Sequence, residues 1–424
     1  MRHLFTFFAL FNLIFFSTFS QGVVLVNGGQ FGNPNENANV VIYDVPTNTY
    51  TTLDTIQTNS VQDVLIDGNR FYVLAQDSIV LYDAQTQSRL AAQVFQGNST
   101  KTAQLSGNEL LVGNWFGQSS DNLYIYDASN LQLLDSVAAV ESGITSMLLD
   151  SGFAYITQNQ STANFEDTLG MIIKVNIASR QVEDTIKVNN YTGGFGELIL
   201  QPDGSGFYSF NPTSNTVTSV DFATLNASNT VFNQDIRLSN RSQWSTHDDT
   251  LFLKMNAGIG AINLQNLNLI DSLIIDTVVT AFVYDTVNRQ FLVTQTDFFS
   301  FTSGKIYNRA GIQTDTLITG FSPEVIDLLP PKPVGINELS NSEASIEFKV
   351  YPNPTSGMIK IQLKTERSSS ATQLQLFDTN GRLVREEQLL NGEGQIDLSD
   401  QPRGLYFLNF LYQGQRLTKK IILQ

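Results

Sequence analysis

Val61-Gln-Asp-Val-Leu-Ile66, Phe71-Tyr-Val-Leu74 and Val80-Leu-Tyr-Asp83 are three apolar runs of strand length, separated by short polar turns. β-Branched and aromatic residues dominate them, so they read as successive antiparallel strands. The last run defines a unit that recurs: a strand closes on an acidic residue or its amide, a polar turn follows, and another strand begins. Seven copies are present, at Val41–Asp44, Val80–Asp83, Tyr124–Asp127, Ile173–Asn176, Thr218–Asp221, Gly260–Asn263 and Lys305–Asn308. The steps between their Asp or Asn residues are 39, 44, 49, 45, 42 and 45 residues. That is the length of a four-stranded propeller blade and too long for most helical repeats, and nothing between the copies reads at helical period.

The ends of the array predict how it closes. Val23-Val-Leu-Val26 is equivalent to Phe71–Leu74, so the first blade lacks its innermost strand. Ser322-Pro-Glu-Val-Ile-Asp-Leu-Leu329 follows the seventh copy where such a strand would lie, and pairing it into the first blade removes the open edges. The repeated Asp or Asn has a structural explanation, since its side chain accepts hydrogen bonds from turn amides two residues on.

A second unit follows a Pro-rich then polar segment, Pro330-Pro331-Lys332-Pro333 through Glu343. From Lys349 on there are ten Lys and Arg against seven Asp and Glu, a net of +3; before it there are fourteen against thirty-three, a net of −19. So acidic a body repels nucleic-acid phosphate and anionic lipid. In the tail, Pro352 and Pro354 favour extended backbone at Tyr351 and Asn353, with a turn at Thr355-Ser-Gly357. Met358–Leu363 and Leu374–Phe377 alternate apolar and polar, Asp378-Thr-Asn-Gly381 reads as a hairpin turn, and Gly404 opens the strand Leu405–Phe410. The fold class expected is therefore all-β, a seven-bladed β-propeller followed by a small immunoglobulin-like β-sandwich.

In order and wording, "VYPNPTSG", "LQLFDTNGRLV", "LSDQPRGLYFLNF" and the basic end "RLTKKIILQ" resemble the C-terminal sorting domain of type IX secretion cargo in Bacteroidota. The resemblance implies sorting roles for Tyr351, Pro352, Asn353, Pro354, Gly357, Gly381, Gly404, Tyr406, Lys419 and Lys420. It also implies, as partners, the type IX machinery and its sortase-like peptidase, and delivery to the outer-membrane surface or beyond. The opening Val23-Val-Leu-Val-Asn-Gly-Gly-Gln-Phe-Gly32 resembles the start of secreted YncE-like propellers of the same phylum, which implies a binding or scaffold role.

Arg2 and His3 followed by the apolar run Leu4–Phe16 read as a secretory signal, with Thr18 and Ser20 ahead of a mature start at Gln21. The domains expected are a signal peptide at 1–20, the propeller at 21–329, a linker at 330–346 and the sorting domain at 347–424. No other stretch is long and apolar enough to span a bilayer. Without cysteine, the chain has neither a lipid-modified Cys nor a disulfide.

The residues nominate no catalytic group, no metal site and no cofactor. One histidine, His247, survives signal removal, which is too few for a zinc or copper site of the usual kind. Ser245–Asp249 falls where the other copies turn, so His247 reads as a solvated turn residue. Gly28-Gly29 and Gly193-Gly194 precede no helix, so no phosphate cradle is expected. Aromatic residues gather on the connections of one propeller face: Phe31, Trp115, Phe116, Phe165, Tyr191, Trp244, Phe298 and Phe299. Such a rim suits stacking a sugar or gripping a peptide, and an equally good reading makes these rings channel-mouth core. A non-catalytic binding or scaffold module for an extracellular glycan or peptide is the favoured function, with a secreted hydrolase or lactonase-like enzyme as the alternative. Acidic side chains converging in the channel would favour the enzyme; small and apolar ones would favour the binder.

Ten Asp residues, at 54, 77, 135, 167, 184, 249, 271, 276, 285 and 315, precede Ser or Thr and then an aliphatic residue. This is similar to the O-glycosylation acceptor pattern of exported Bacteroidota proteins. Because in-strand hydroxyls with both neighbours paired are hard to reach, loop positions such as Thr168 are the expected acceptors.

Overall fold

The computed structural model describes residues 22–30, 33, 35–45, 49–115, 121–140, 143–161, 167–187, 196–212, 214–238, 241–300, 302–330, 347–364, 372–378, 383–389, 393–412 and 415–424. The expected signal peptide, most of the linker, Gly193-Gly194 and Gly381 lie outside them. The chain divides into two compact units, Met1–Lys332 and Pro333–Gln424.

The first unit is the propeller. Its seven four-stranded antiparallel sheets each follow chain order outward from an innermost strand, except the first. There the innermost strand is Pro323–Leu328, paired antiparallel with Gly22–Asn27, so the last strand of the body closes the first blade. The seam is tied beyond the ladder. Leu329 N donates to Gly22 O at 2.9 Å, Gly28 N to Ser322 O at 2.7 Å, and Gly320 N to the Asn27 side-chain oxygen at 3.0 Å. Gly28 serves this seam, since a Cβ there would overlap the Glu324 carboxylate, and a Cβ at Gly29 would overlap the Glu36 carbonyl.

The repeated Asp or Asn does what its spacing predicts. Asp83 Oδ1 accepts from the amides of Gln85 and Thr86, Asp127 Oδ1 from Ser129 and Asn130, and Asn263 Oδ1 from Gln265 and Asn266. Four residues on, the chain turns through the left-handed region at Gln87, Leu131, Arg180, Leu225 and Leu267. Leu131 is fully buried, so its side chain anchors that turn. Gln87 is exposed and has no such compensation.

The outermost strands pair on one side only. In six of the seven blades the ladder to that strand contains a register shift, skipping Leu53, Leu90, Leu134, Glu183, Ile270 and Thr314. Bulges of this kind bend an edge away from further pairing. Asp54, Asp135, Asp184, Asp271 and Asp315 stand just after these bulges, and Thr55, Thr185 and Thr316 beside three of them are exposed. At these five sites the premise that the hydroxyls are shielded by paired neighbours is therefore corrected, because the strands that carry them have a free edge; Thr250, in a strand paired on both sides, still fits it. Thr168 lies at the start of Asp167–Asn176, a strand rather than a loop.

The second unit is a two-sheet sandwich, with three strands (Glu347–Tyr351, Met358–Lys364, Glu393–Asp397) facing four (Leu383–Leu389, Thr372–Asp378, Gly404–Tyr412, Gln415–Leu423). Ile359, Ile361, Leu374, Leu376, Ile396, Leu408 and Ile421 fill the space between them. Tyr351 ends the extended strand Glu347–Tyr351, and the Tyr351–Pro352 and Asn353–Pro354 peptides are both cis. The segment folds against the last strand. Asn353 Nδ2 donates to Lys420 O at 2.6 Å, Asn353 Oδ1 accepts from Ile422 N at 2.9 Å, and Thr355 N donates to Ile422 O at 2.8 Å. An amide side chain thus substitutes for a neighbouring strand at the edge of the sheet.

Candidate functional site

Five charged residues converge on the propeller axis, each from a different blade: Asp63, Lys101, Glu197, Arg241 and Asp327. Inner-strand geometry aims them. In blades one to four the inner strand bulges at Glu324, Gln62, Lys101 and Thr145, which turns Lys101 out of the alternating pattern. Asp63 follows the bulge in blade two; its Oδ1 accepts from Val64 N at 2.9 Å and its Oδ2 from Thr102 Oγ1 at 3.4 Å. Glu197 immediately precedes the inner strand Leu198–Leu200 of blade five, and Ser146 of blade four bonds both its carboxylate, at 3.3 Å, and Leu198 N, at 3.1 Å. Arg241 opens a single 3-10 turn, Arg241–Gln243, ahead of the blade-six strand Trp244–His247. That turn is stapled to its surroundings: Ser242 Oγ donates to Ile326 O at 3.2 Å, and Gln243 Nε2 to Thr280 O at 3.3 Å.

The electrostatics follow from burial. Removal from water pushes Glu197 up to about 7, with the nearby Asp63 carboxylate adding to the effect against the opposing pull of Arg241 and Lys101. Asp327 is pushed up to about 6 for the same main reason, and Asp63 is also raised. Burial lowers Lys101 despite the carboxylates near it. Arg241 is raised: burial works against its charged form, but the fields of Asp63, Asp327 and Glu197 outweigh it. By surface area Arg241, which lines a cavity, and Asp327 are only partly buried, while Asp63, Lys101 and Glu197 are nearly inaccessible.

A cavity of about 400 Å³ begins at Glu197 and Arg241 and runs along the inner strands of blades three to six. It ends at the turns carrying Pro202 and Asp248. Trp244, Met147, Leu198 and Leu264 supply apolar wall; Gln104 and Thr246 add polar groups. Among the described residues, no acceptor lies within hydrogen-bonding range of the Arg241 guanidinium, although it sits in the field of three carboxylates. Trp244 Nε1 is buried without an acceptor in good geometry, yet near enough to Glu197 to help hold that group's pKa down. Gln104 uses its Nε2 on Met147 O at 3.1 Å, and its Oε1 receives no hydrogen bond among the described residues.

Four of the expected rim aromatics, Phe31, Phe116, Phe165 and Tyr191, lie outside the described residues. Trp115 follows the second strand of blade three, and the Lys101 ammonium stands 4.5 Å above its ring. Trp244 begins an innermost strand, where a connecting loop was expected, and lines the cavity. Phe298 and Phe299 stay on a connection of blade seven, 48% and 67% exposed. His247 ends the blade-six inner strand, paired with Thr250, where a turn was expected. Its Nε2 is 3.6 Å from Asp248 Oδ2 and its ring 5.5 Å from that of Tyr284. Among the described residues no cluster of three or more His, Asp or Glu is placed to hold a metal. The axial charges were missed, though Asp63 inside the apolar run Val61–Ile66 was their visible sign.

Residues 349–424 match the family described as the secretion system C-terminal sorting domain. The tail is a type IX sorting domain. It directs export to the cell surface or the extracellular space through the type IX machinery. No curated protein matches the chain. The body is similar in fold to a functionally unknown protein from Desulfotomaculum acetoxidans, at 11% identity over 74% of this chain and 99% of that one, TM-score 0.54. It is similar also to a "putative 6-phosphogluconolactonase" from Bacteroides fragilis, at 14% identity over 74% and 99%, TM-score 0.53. A third likeness is to the extracellular domain of a "putative one component system" from B. thetaiotaomicron, at 12% identity over 94% of this chain and 57% of that one, TM-score 0.50. At these identities the likeness concerns fold alone. No helix among the described residues is long and apolar enough to cross a membrane.

Proposed function

We propose that the sorting domain exports a binding module, and that its ligand, an extracellular glycan or short peptide, seats in the axial cavity. The observation that carries this reading is the cavity itself. An aliphatic wall with one indole and a few convergent polar groups, with hydrogen-bonding capacity left over, is the usual composition of a ligand pocket. Glycan and peptide arrays probed with the full chain test it. Thr246→Tyr, which fills the cavity mouth from an exposed strand position, should abolish the signal, and Ser at both Phe298 and Phe299 should leave it intact. The reverse pattern would move the ligand to the rim.

The hydrolase reading rests on one observation: Glu197, pushed up to about 7 beside Arg241, has the properties of a general acid or base. Carboxylates do converge in the channel, which was the feature expected of an enzyme. Two cations accompany them, however, Lys101 buried and Arg241 partly so, and of the three carboxylates only Glu197 borders the cavity; Asp248 lies at the opposite end, 85% exposed. A two-carboxylate mechanism therefore lacks its second buried member there. Turnover of chromogenic esters, lactones or glycosides that is lost in Glu197→Gln would favour the enzyme. The role of the tail is tested by fractionating cells that make a chain ending at Val334, which should fold and stay in the periplasm.

A further inference from the structure

Three groups around the cavity with hydrogen-bonding capacity to spare have a defined chemistry. Arg241 offers up to five N–H donors and Trp244 Nε1 offers one more, while Gln104 Oε1 is an acceptor. Trp244 Nε1 is buried and poorly aligned on Glu197, whereas Arg241 and Gln104 are partly exposed to the cavity, so a ligand that supplies oxygen acceptors and at least one hydroxyl donor can engage all three as it displaces solvent. The Trp244 indole adds an apolar face of the kind that packs against the C–H face of a ring.

Charge narrows the class. Arg241 and Lys101 face Asp63, Glu197 and Asp327 at the axis, and Asp248 stands at the other end, so acids outnumber bases around the site. The body as a whole is strongly acidic. A carboxylate or phosphate on the ligand would meet these acids as well as Arg241, and an ammonium would meet Arg241 at the cavity's deep end, so neither charge gains a net advantage there. Neutral hydroxyls meet neither penalty. A cavity of about 400 Å³ is also within the range that ordinary small ligands occupy.

We infer that the axial cavity takes an uncharged pyranose ring, stacked on Trp244 with its hydroxyls on Arg241 and Gln104. This rests on the binding reading above and gives it a ligand class. Ser146, which accepts from the Leu198 amide, donates to the Glu197 carboxylate and holds it in the wall, so the ligand meets a preformed polar end.

The chain has two tryptophans, and Trp115→Phe leaves Trp244 as the single indole reporter. Full-length Trp115→Phe protein is titrated with methyl glycosides and disaccharides of neutral hexoses, and with matched hexuronates and hexosamines, following indole emission. A saturable emission change with at least one neutral sugar is expected, and binding weakened at least about tenfold when Thr246→Tyr is added. Circular dichroism of the Thr246→Tyr protein establishes that it is folded. If only uronates or only amino sugars bind, and Thr246→Tyr blocks them, the ligand class is wrong while the cavity reading stands. Sugar binding that leaves Trp244 emission and Thr246→Tyr affinity unchanged would overturn the site. No response to any of these sugars overturns the sugar proposal, and a peptide-array signal lost in Thr246→Tyr would show that the cavity binds something else.

Discussion

Replacing Glu197 by Gln keeps the size and hydrogen-bonding capacity of the side chain and removes its titration. Burial and the Asp63 carboxylate lift Glu197 from 4.5 to about 7 in the folded chain, which therefore holds this proton more tightly than the unfolded chain does. The stability this contributes is complete below about 4.5 and is lost as the pH climbs through about 7. Carrying one carboxyl across that interval corresponds to roughly 3 kcal/mol. Asp327, pushed up to about 6, acts with the same sign in both proteins and cancels in the difference. The repulsion between Asp63 and Glu197 is already contained in the Glu197 shift, and Asp63 itself is raised chiefly by burial. Urea unfolding of the body is followed by fluorescence, since both tryptophans lie in the propeller. With an m-value of about 3 kcal/mol/M, the Gln variant should gain roughly 1 M in midpoint relative to wild type between about pH 5 and about pH 8. A midpoint difference that stays constant over that range would mean that Glu197 ionises at its ordinary pH, and the picture of a dry axial cluster would fail.

Four further outcomes follow from the same geometry. A chain ending at Gly320 loses the strand Pro323–Leu328 and leaves Gly22–Asn27 with an unpaired edge; it should aggregate or melt well below a chain ending at Val334, and equal melting curves would refute the closure. Gln87→Gly relieves a left-handed residue at φ 52° with an exposed side chain and should stabilise the body by about 0.5–1 kcal/mol, read from its urea midpoint. Asn353→Ala removes two hydrogen bonds to the last strand of the tail, worth about 1 kcal/mol each, and should speed hydrogen exchange at the Ile422 amide. Intact mass of protein from the native host should exceed the processed sequence if the exposed outer-strand hydroxyls at Thr55, Thr185 and Thr316 carry sugar, and a mass equal to that sequence would remove the idea.

The architecture was legible because a propeller repeats its physics. Each blade needs a polar turn after its third strand, and the Asp or Asn that makes it recurs at blade spacing, so Asp83, Asp127 and Asn263 mark the period. Closure was legible from a shortage, since Val23–Val26 begins a blade that has no inner strand of its own. The site was not legible for the opposite reason. Asp63, Lys101, Glu197, Arg241 and Asp327 come one from each of five blades, and only the radial arrangement brings them together. Trp244 was misplaced because the connection from blade five to blade six is unusually long. It includes an isolated bridge from Ile236 to Met255 and a 3-10 turn, which push the start of the inner strand to Trp244 itself. Bulges were invisible as well: one skipped residue re-aims Lys101 without altering the apolar pattern around it.

Crystals of the full chain grown with a ligand captured on the arrays provide the most direct measurement. Ligand density against Trp244, with an oxygen on the Arg241 guanidinium, is the result predicted. Density at Phe298 and Phe299 on the blade-seven connection, with the axial cavity empty, would contradict the account.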